Sequence, residues 1–259
     1  MKRKCHLFDI PVVILAGGLG TRLGSLTEEI PKPMLDIGGY PIIWHIMKRY
    51  SMFGFNKFII PCGYKSEVLK NYFINFHKLK SDIKIDMSTN EILYLDPPKY
   101  NWEVILADTG QSTMTGGRLR RIQEYIKTDT FMLTYGDGLS NVNISALLNF
   151  HRSKSKELTI TAVHPAARFG ELDIEHDRVV SFKEKPQTNL GWINGGYMVV
   201  QKSFINRILD DTVVLEKFPI ESACMDSEVC AFKHGDFWQC IDTPRDLEFV
   251  RQKFMNADT

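Results

Sequence analysis

The sequence predicts an α/β fold: a mainly parallel central sheet flanked by helices, with a strand-rich elaboration in its second half. Three observations predict it. Short β-branched runs such as "PVVILA" end at glycine, segments of helical apolar period separate them through residue 150, and strands become closely spaced after about residue 157. A repeated order of strand, turn and helix implies parallel neighbours, because parallel strands need crossover connections.

The elements follow in chain order. "PVVILA" (11–16) reads as a buried strand, "PIIWHIMKRYSMFG" as a helix that opens on proline and ends at Gly54, and "NKFIIPCG" as a second strand. "SEVLKNYFINFHKL" carries Val68, Leu69, Tyr72, Phe73 and Phe76 on one stripe of a helix. An irregular region holds "IKIDM" and "EILYLDPPKYN". The strand "WEVILAD" then leads through "TGQSTMTGG" into the helix "RLRRIQEYIK", and "TFMLTYGDG" repeats the strand and glycine turn. "LTITAV", "GELDIE", "RVVSFKEK" and "GWINGGYMVV" read as strands, with helices near 202–210 and 216–226. "EVCAFKHG" and "DFWQCID" are further strands, and "RDLEFVRQKF" is a final helix. No repeat and no linker rich in Ser, Pro or Gly divides the chain, so residues 1–259 read as one domain.

Composition narrows the function classes. Hydrophobic content of 44% and charged content of 24% are those of a soluble globular protein. Thirty-two basic against 31 acidic residues leave no global field for nucleic acid or an anionic membrane, so any anion must be bound locally. The five cysteines form no C-x-x-C pair, which argues against a disulfide framework or zinc knuckle and for a reducing cytoplasm. The basic start resembles a signal peptide, but Asp9 and Pro11 interrupt its apolar run. No apolar run approaches the ~18 residues that span a bilayer.

The chemistry concentrates in "VVILAGGLGTRLGSLTEEIPKPM". Gly17, Gly18 and Gly20 let the backbone approach a ligand closely and turn N–H groups toward phosphate oxygens. The spacing fits neither a Walker A loop nor the dinucleotide fingerprint, which would need glycine where Leu23 stands. Arg22 adds a guanidinium that can grip phosphate in bidentate fashion, and Lys32 a compact charge between Pro31 and Pro33. Together they suit a triphosphate; the plainer alternative is a tight turn with solvated cations. Asp137, beyond "TFMLTY", and Asp242, beyond "DFWQCI", converge on a hard cation such as Mg²⁺ if both strands share one sheet and end on one side. Either Asp would otherwise serve as a turn former or helix cap.

"ILAGGLGTRLGSLTEEIPKPM", "YGDG", "FKEKP", "WINGG" and "FWQCIDT" stand in an order that resembles the sugar-phosphate nucleotidylyltransferases, from about 11 to 255. "ADTGQSTMTGGRLRRIQEYI" and "ARFGELDI" are similar to the branch that transfers a cytidylyl group from CTP to glucose 1-phosphate. The resemblance implies a Rossmann-like α/β domain with a nucleotide-binding half (10–150) and a sugar-binding half (151–259). It implies that Leu15, Ala16, Gly17, Gly18, Gly20, Thr21 and Arg22 surround the nucleotide, with Lys32 at its phosphates and Thr115, Gly116, Gly117, Arg118 and Gly136 nearby. Asp137 and Asp242 would hold Mg²⁺, and Gly170, Glu184, Lys185, Asn194 and Gly195 would line the sugar 1-phosphate pocket. Arg22, Lys32, Asp137 and Lys185 would carry the catalysis. A homo-oligomer, a hexamer, is implied in the same way. The chain departs from the family pattern at Ile30, at Glu171 and in "QCID".

Overall fold

The computed structural model describes residues 9–18, 20–165, 171–183 and 191–255; at Thr21, Arg22, Ser25, 171–175 and 182–183 it describes the backbone path alone. The chain runs β1 (Val12–Leu15), β2 (Asp36–Ile37), β3 (Tyr40–Pro41), α1 (Ile42–Ser51), β4 (Lys57–Cys62), α2 (Ser66–Lys80), β5 (Ile83–Asp86), β6 (Glu91–Tyr94) and β7 (Glu103–Asp108). It continues with α3 (Thr115–Arg121), β8 (Thr130–Tyr135), β9 (Gly138–Ser140), α4 (Ile144–Lys154), β10 (Leu158–Val163), β11 (Glu171–Glu175) and β12 (Arg178–Lys183). Last come β13 (Ile193–Gln201), α5 (Phe218–Met225), β14 (Val229–His234), β15 (Trp238–Cys240) and α6 (Pro244–Met255).

Seven strands form the main sheet in the order β14-β10-β13-β8-β1-β4-β7. Strand β1 pairs in parallel with β4 and β8, β4 with β7, and β10 with β14, while β13 runs against both its neighbours. The sheet is therefore α/β and mainly parallel, as the sequence predicts. From β1 the next main-sheet strand, β4, lies on one side and β8 on the other. That makes β1 a topological switch point, and open α/β sheets bind ligands beyond the carboxyl ends of strands at such points.

Alternation along the strands divides the core. Val12, Ile14, Phe58, Ile60 and Met132 pack on one face, and Val13, Leu15, Ile59, Phe131 and Leu133 on the other. Each is at most 7% exposed, so every such side chain contributes about 1.5–3 kcal/mol of burial. Helix α1 brings Ile42, Ile43, Ile46, Met47 and Tyr50 to the first face. Its opening on Pro41 fits the preference for proline at helix starts, where its missing N–H has no partner to lose. Helix α4 opens on Asn143, whose side chain accepts a hydrogen bond from the Ala146 N–H at 2.9 Å.

Several elements differ from expectation. Helix α3 starts at Thr115, includes Gly116 and Gly117, and ends at Arg121, after which the chain tightens into turns of i to i+3. The region of "IKIDM" and "EILY" is the antiparallel hairpin β5–β6, outside the main sheet. Residues Lys202–Arg207 form a 3-10 helix. Strand β15 does not join the main sheet; it pairs with β9.

Candidate active site

A cavity of about 630 Å³ opens beside the carboxyl ends of β1 and β8. Of the residues singled out in the sequence, Leu15, Ala16, Gly17, Gly18, Gly20, Lys32, Thr115, Arg118, Gly136, Asp137 and Asp242 line it. Pro33, Gln111, Ser112, Thr113, Met114 and Tyr135 line it as well and were not foreseen; residues 111–114 are singled out by no local signal before Thr115. A larger cleft of about 790 Å³, walled by Tyr40, Tyr100 and Trp102, contains none of the candidate residues. Chemistry rather than size therefore marks the site.

The two aspartates meet by a route the sequence does not show. Asp137 lies in the turn between β8 and β9, and β15 pairs antiparallel to β9 with Cys240 opposite Gly138. The Ile241 N–H donates to the Asp137 carbonyl at 3.0 Å, so the ladder sets Asp137 alongside the segment that carries Asp242. Asp242 is not the cap of α6. Thr243 takes that role: its hydroxyl accepts from the Asp246 N–H at 3.2 Å, and Asp246 Oδ2 accepts from the N–H groups of Asp242 and Thr243. This reciprocal cap is the capping-box arrangement, with Asp in place of Glu.

Lys32 sits in a short 3-10 turn, Lys32–Met34, and is 8% exposed. Its Nζ donates to Asp137 Oδ2 and to Asp242 Oδ1, both at 2.7 Å. Burial alone would lower its pKa, but the Asp137 carboxylate and the hydrogen bonds that Lys32 donates to both aspartates outweigh it and raise it, so the ammonium is firmly charged. Lys32, which the resemblance sets at the phosphates, makes this double ion pair. Cys240 Sγ and a carboxylate oxygen from each aspartate lie within 4.8 Å of one another. Burial, then the Asp137 charge, pushes the Cys240 thiol well up, which keeps it neutral. Two carboxylate oxygens already gathered on one cation fit a hard divalent ion.

Arg118 lines the cavity but spends its guanidinium inward. It donates to the carbonyls of Cys62, Gly110, Gly17 and Gln111 and to Thr109 Oγ1, at 2.7–3.1 Å. It fastens the glycine loop to the 109–111 segment. A Cβ on Gly17 would lie 2.3 Å from Arg118 Cζ, so this glycine makes room for the guanidinium. Gly116 and Gly117 pack against backbone as well: added Cβ atoms would meet the Val213 and Asp211 carbonyls at 2.7 and 2.4 Å. They seat α3 on the 211–215 segment rather than on the cavity.

Glu216, missed in the sequence, joins two cavity residues by accepting from Thr115 Oγ1 at 2.8 Å and from the Tyr135 hydroxyl at 2.5 Å. Asn194 reaches the same Tyr135 hydroxyl at 3.5 Å. Asn194–Gly196 lie within β13 and coincide with a register shift between β10 and β13, an irregularity of the kind found beside binding sites. The Gly195 carbonyl accepts from Trp238 Nε1 at 2.7 Å, tying this bulge to β15 and the aspartates. Gly170, Glu184 and Lys185 lie outside the described residues, as do the side chains of Thr21 and Arg22. No helix among the described residues is long and apolar enough to cross a membrane.

A cavity at a sheet switch point, edged by a glycine loop and floored by two carboxylates holding one cation, is arranged to receive a polyanion with a countercharge. Residues 11–238 match the nucleotidyl transferase family, and the chain belongs to it. The chain is 48% identical to the glucose-1-phosphate cytidylyltransferase of Salmonella typhi, over 92% of this chain and 93% of that protein. It is 32% identical to the mannose-1-phosphate guanylyltransferase of Mycobacterium tuberculosis, over 94% of this chain and 63% of the relative. In structure it is similar to HddC from Yersinia pseudotuberculosis, also solved complexed with GMP-PN: TM-score 0.67, 27% identity, covering 95% of this chain and 99% of that one.

Proposed function

We propose that the protein transfers a cytidylyl group from CTP to α-D-glucose 1-phosphate, giving CDP-glucose and pyrophosphate. The observation that carries this reading is the meeting of Lys32, Asp137 and Asp242 at one point of the cavity beside the glycine loop. The 48% identity with a glucose-1-phosphate cytidylyltransferase over nearly the full length of both chains supports the choice of substrates.

In this reading a phosphate oxygen of the sugar phosphate attacks the α-phosphorus of CTP as pyrophosphate departs. The attacking phosphate needs no catalytic base, since a phosphate monoester has a second pKa near ~6 and is largely dianionic at neutral pH. The obstacle is the mutual repulsion of two polyanions, which positioning and countercharge overcome. Asp137 and Asp242 would hold Mg²⁺, which supplies charge neutralisation at the phosphates when bound. The backbone of Leu15 to Gly18 and Gly20 embraces the triphosphate, and Arg22 and Lys32 serve the leaving pyrophosphate. Lys185 serves the attacking phosphate, Glu184 accepts from sugar hydroxyls, and Gly170, Asn194 and Gly195 complete the sugar pocket. A homo-oligomer, a hexamer by family likeness, belongs to the same reading.

The test is pyrophosphate release across the four ribonucleoside triphosphates and a panel of sugar 1-phosphates, with the product identified by mass. Highest kcat/KM for CTP with glucose 1-phosphate is the expected result. Preference for GTP with a mannose or heptose 1-phosphate would replace this reading with a guanylyl transfer, which the similarity to a guanylyltransferase makes the natural second choice.

A further inference from the structure

The ammonium of Lys32 and a divalent ion would compete for the same two oxygens. Lys32 Nζ is 2.7 Å from both Asp137 Oδ2 and Asp242 Oδ1. A divalent ion held by those same carboxylates would be drawn close to the ammonium and repelled by it. Both carboxylates are about one-third exposed, Lys32 is nearly buried, and all three line the cavity. Two ionised carboxylates this close, with no cation between them, would repel one another. Lys32 removes that repulsion from within the chain.

We propose that Lys32 is an internal counter-cation: without substrates it occupies the place between Asp137 and Asp242 and keeps a divalent ion out until nucleotide phosphates draw the ammonium away. The inference rests on the reading of this cavity as a site for a nucleotide and a metal. Lys32 lines the same cavity as Gly18 and Gly20, so phosphates cradled there are the alternative partner within reach of its four-carbon stem. Metal and nucleotide then enter cooperatively, and by linkage each strengthens the binding of the other by the same factor.

The test uses Mn²⁺ alone, counted by its free-ion electron paramagnetic resonance signal against the purified full-length protein without nucleotide. Lys32→Met and Lys32→Gln are each expected to bind Mn²⁺ at least ~10-fold more tightly than wild type, a gain lost when Asp137→Asn is added. Thermal unfolding with and without Mn²⁺ shows that the variants are folded, and Mn²⁺ should raise their Tm more than that of wild type. A non-reactive CTP analogue should tighten Mn²⁺ binding more in wild type than in Lys32→Met. Wild type binding Mn²⁺ as tightly as both Lys32 variants, in a protein that transfers cytidylyl groups, overturns the counter-cation. A clear Mn²⁺ contrast in a protein that transfers no nucleotidyl group overturns the functional reading and leaves the exclusion of metal by Lys32 standing.

Discussion

Neighbouring glycines in the loop after β1 answer to different demands. Gly17 yields its side-chain space to Arg118, whereas a Cβ on Gly18 would meet nothing within 4 Å. The open space at Gly18 is the cavity itself, so packing does not require a glycine there; on the proposed reading a bound nucleotide does. Gly18→Ala should leave urea-unfolding stability within ~0.5 kcal/mol of wild type. The same change should lower kcat/KM for CTP by about 10-fold or more, because small displacements of a reacting phosphate are costly. Initial rates beside an unfolding curve check both halves; lost stability with unchanged kinetics would give Gly18 a structural role. At this scale the sequence was partly legible. Asp137, Asp242 and Lys32 were identifiable as chemistry-bearing groups from residue type and position. Their mutual contact was not, because the lysine's partners lie 105 and 210 residues away. Arg118 lines the cavity as the resemblance implies, but nothing local reveals that four carbonyls also claim its guanidinium.

Strands and helices were legible in proportion to the length of their pattern. The buried parallel strands β1, β4 and β8 and the half-buried edge strand β7 stand out as apolar runs bounded by glycine or polar residues, and α1 as a stripe of helical period. The ladder β9–β15 is only three residues on each side and has no periodicity to read, yet it is what brings the aspartates together. Its continuation is held by Asp246, which accepts hydrogen bonds from Asp242, Thr243 and Gln239. Asp246→Ala should therefore cost about 1 kcal/mol in unfolding, as loss of a helix cap does. Turnover should fall further than that stability loss explains, because the backbone under Asp242 loses its anchor. Asp246→Asn, which keeps an acceptor oxygen, should recover most of both. Loss of stability with normal kcat would confine Asp246 to capping.

Across the whole molecule, the halves before and after residue 150 share one seven-stranded sheet, joined where β8 pairs with β13. His151 on α4 fastens this second half: it is 1% exposed and hydrogen-bonded to Thr159 Oγ1 and Gln201 Nε2, both at 2.9 Å. Burial, then the nearby Arg152 charge, lowers its pKa from 6.5 to about 4. The unfolded chain therefore takes up this proton first. Its contribution to stability is complete above pH 6.5, falls as the pH drops, and is gone below about 4. Between pH 7 and 5 wild type should lose about 1–2 kcal/mol more than His151→Gln, measured by urea unfolding at each pH. On the proposed reading the joined sheet also serves the chemistry, since the glycine loop, Asp137 and Asp242 come from three distant stretches of chain. Turnover of purified Asp137→Ala with CTP, glucose 1-phosphate and Mg²⁺ tests that convergence most directly. A protein that unfolds like wild type but turns over at least ~100-fold more slowly is the predicted result; near-normal turnover would contradict it.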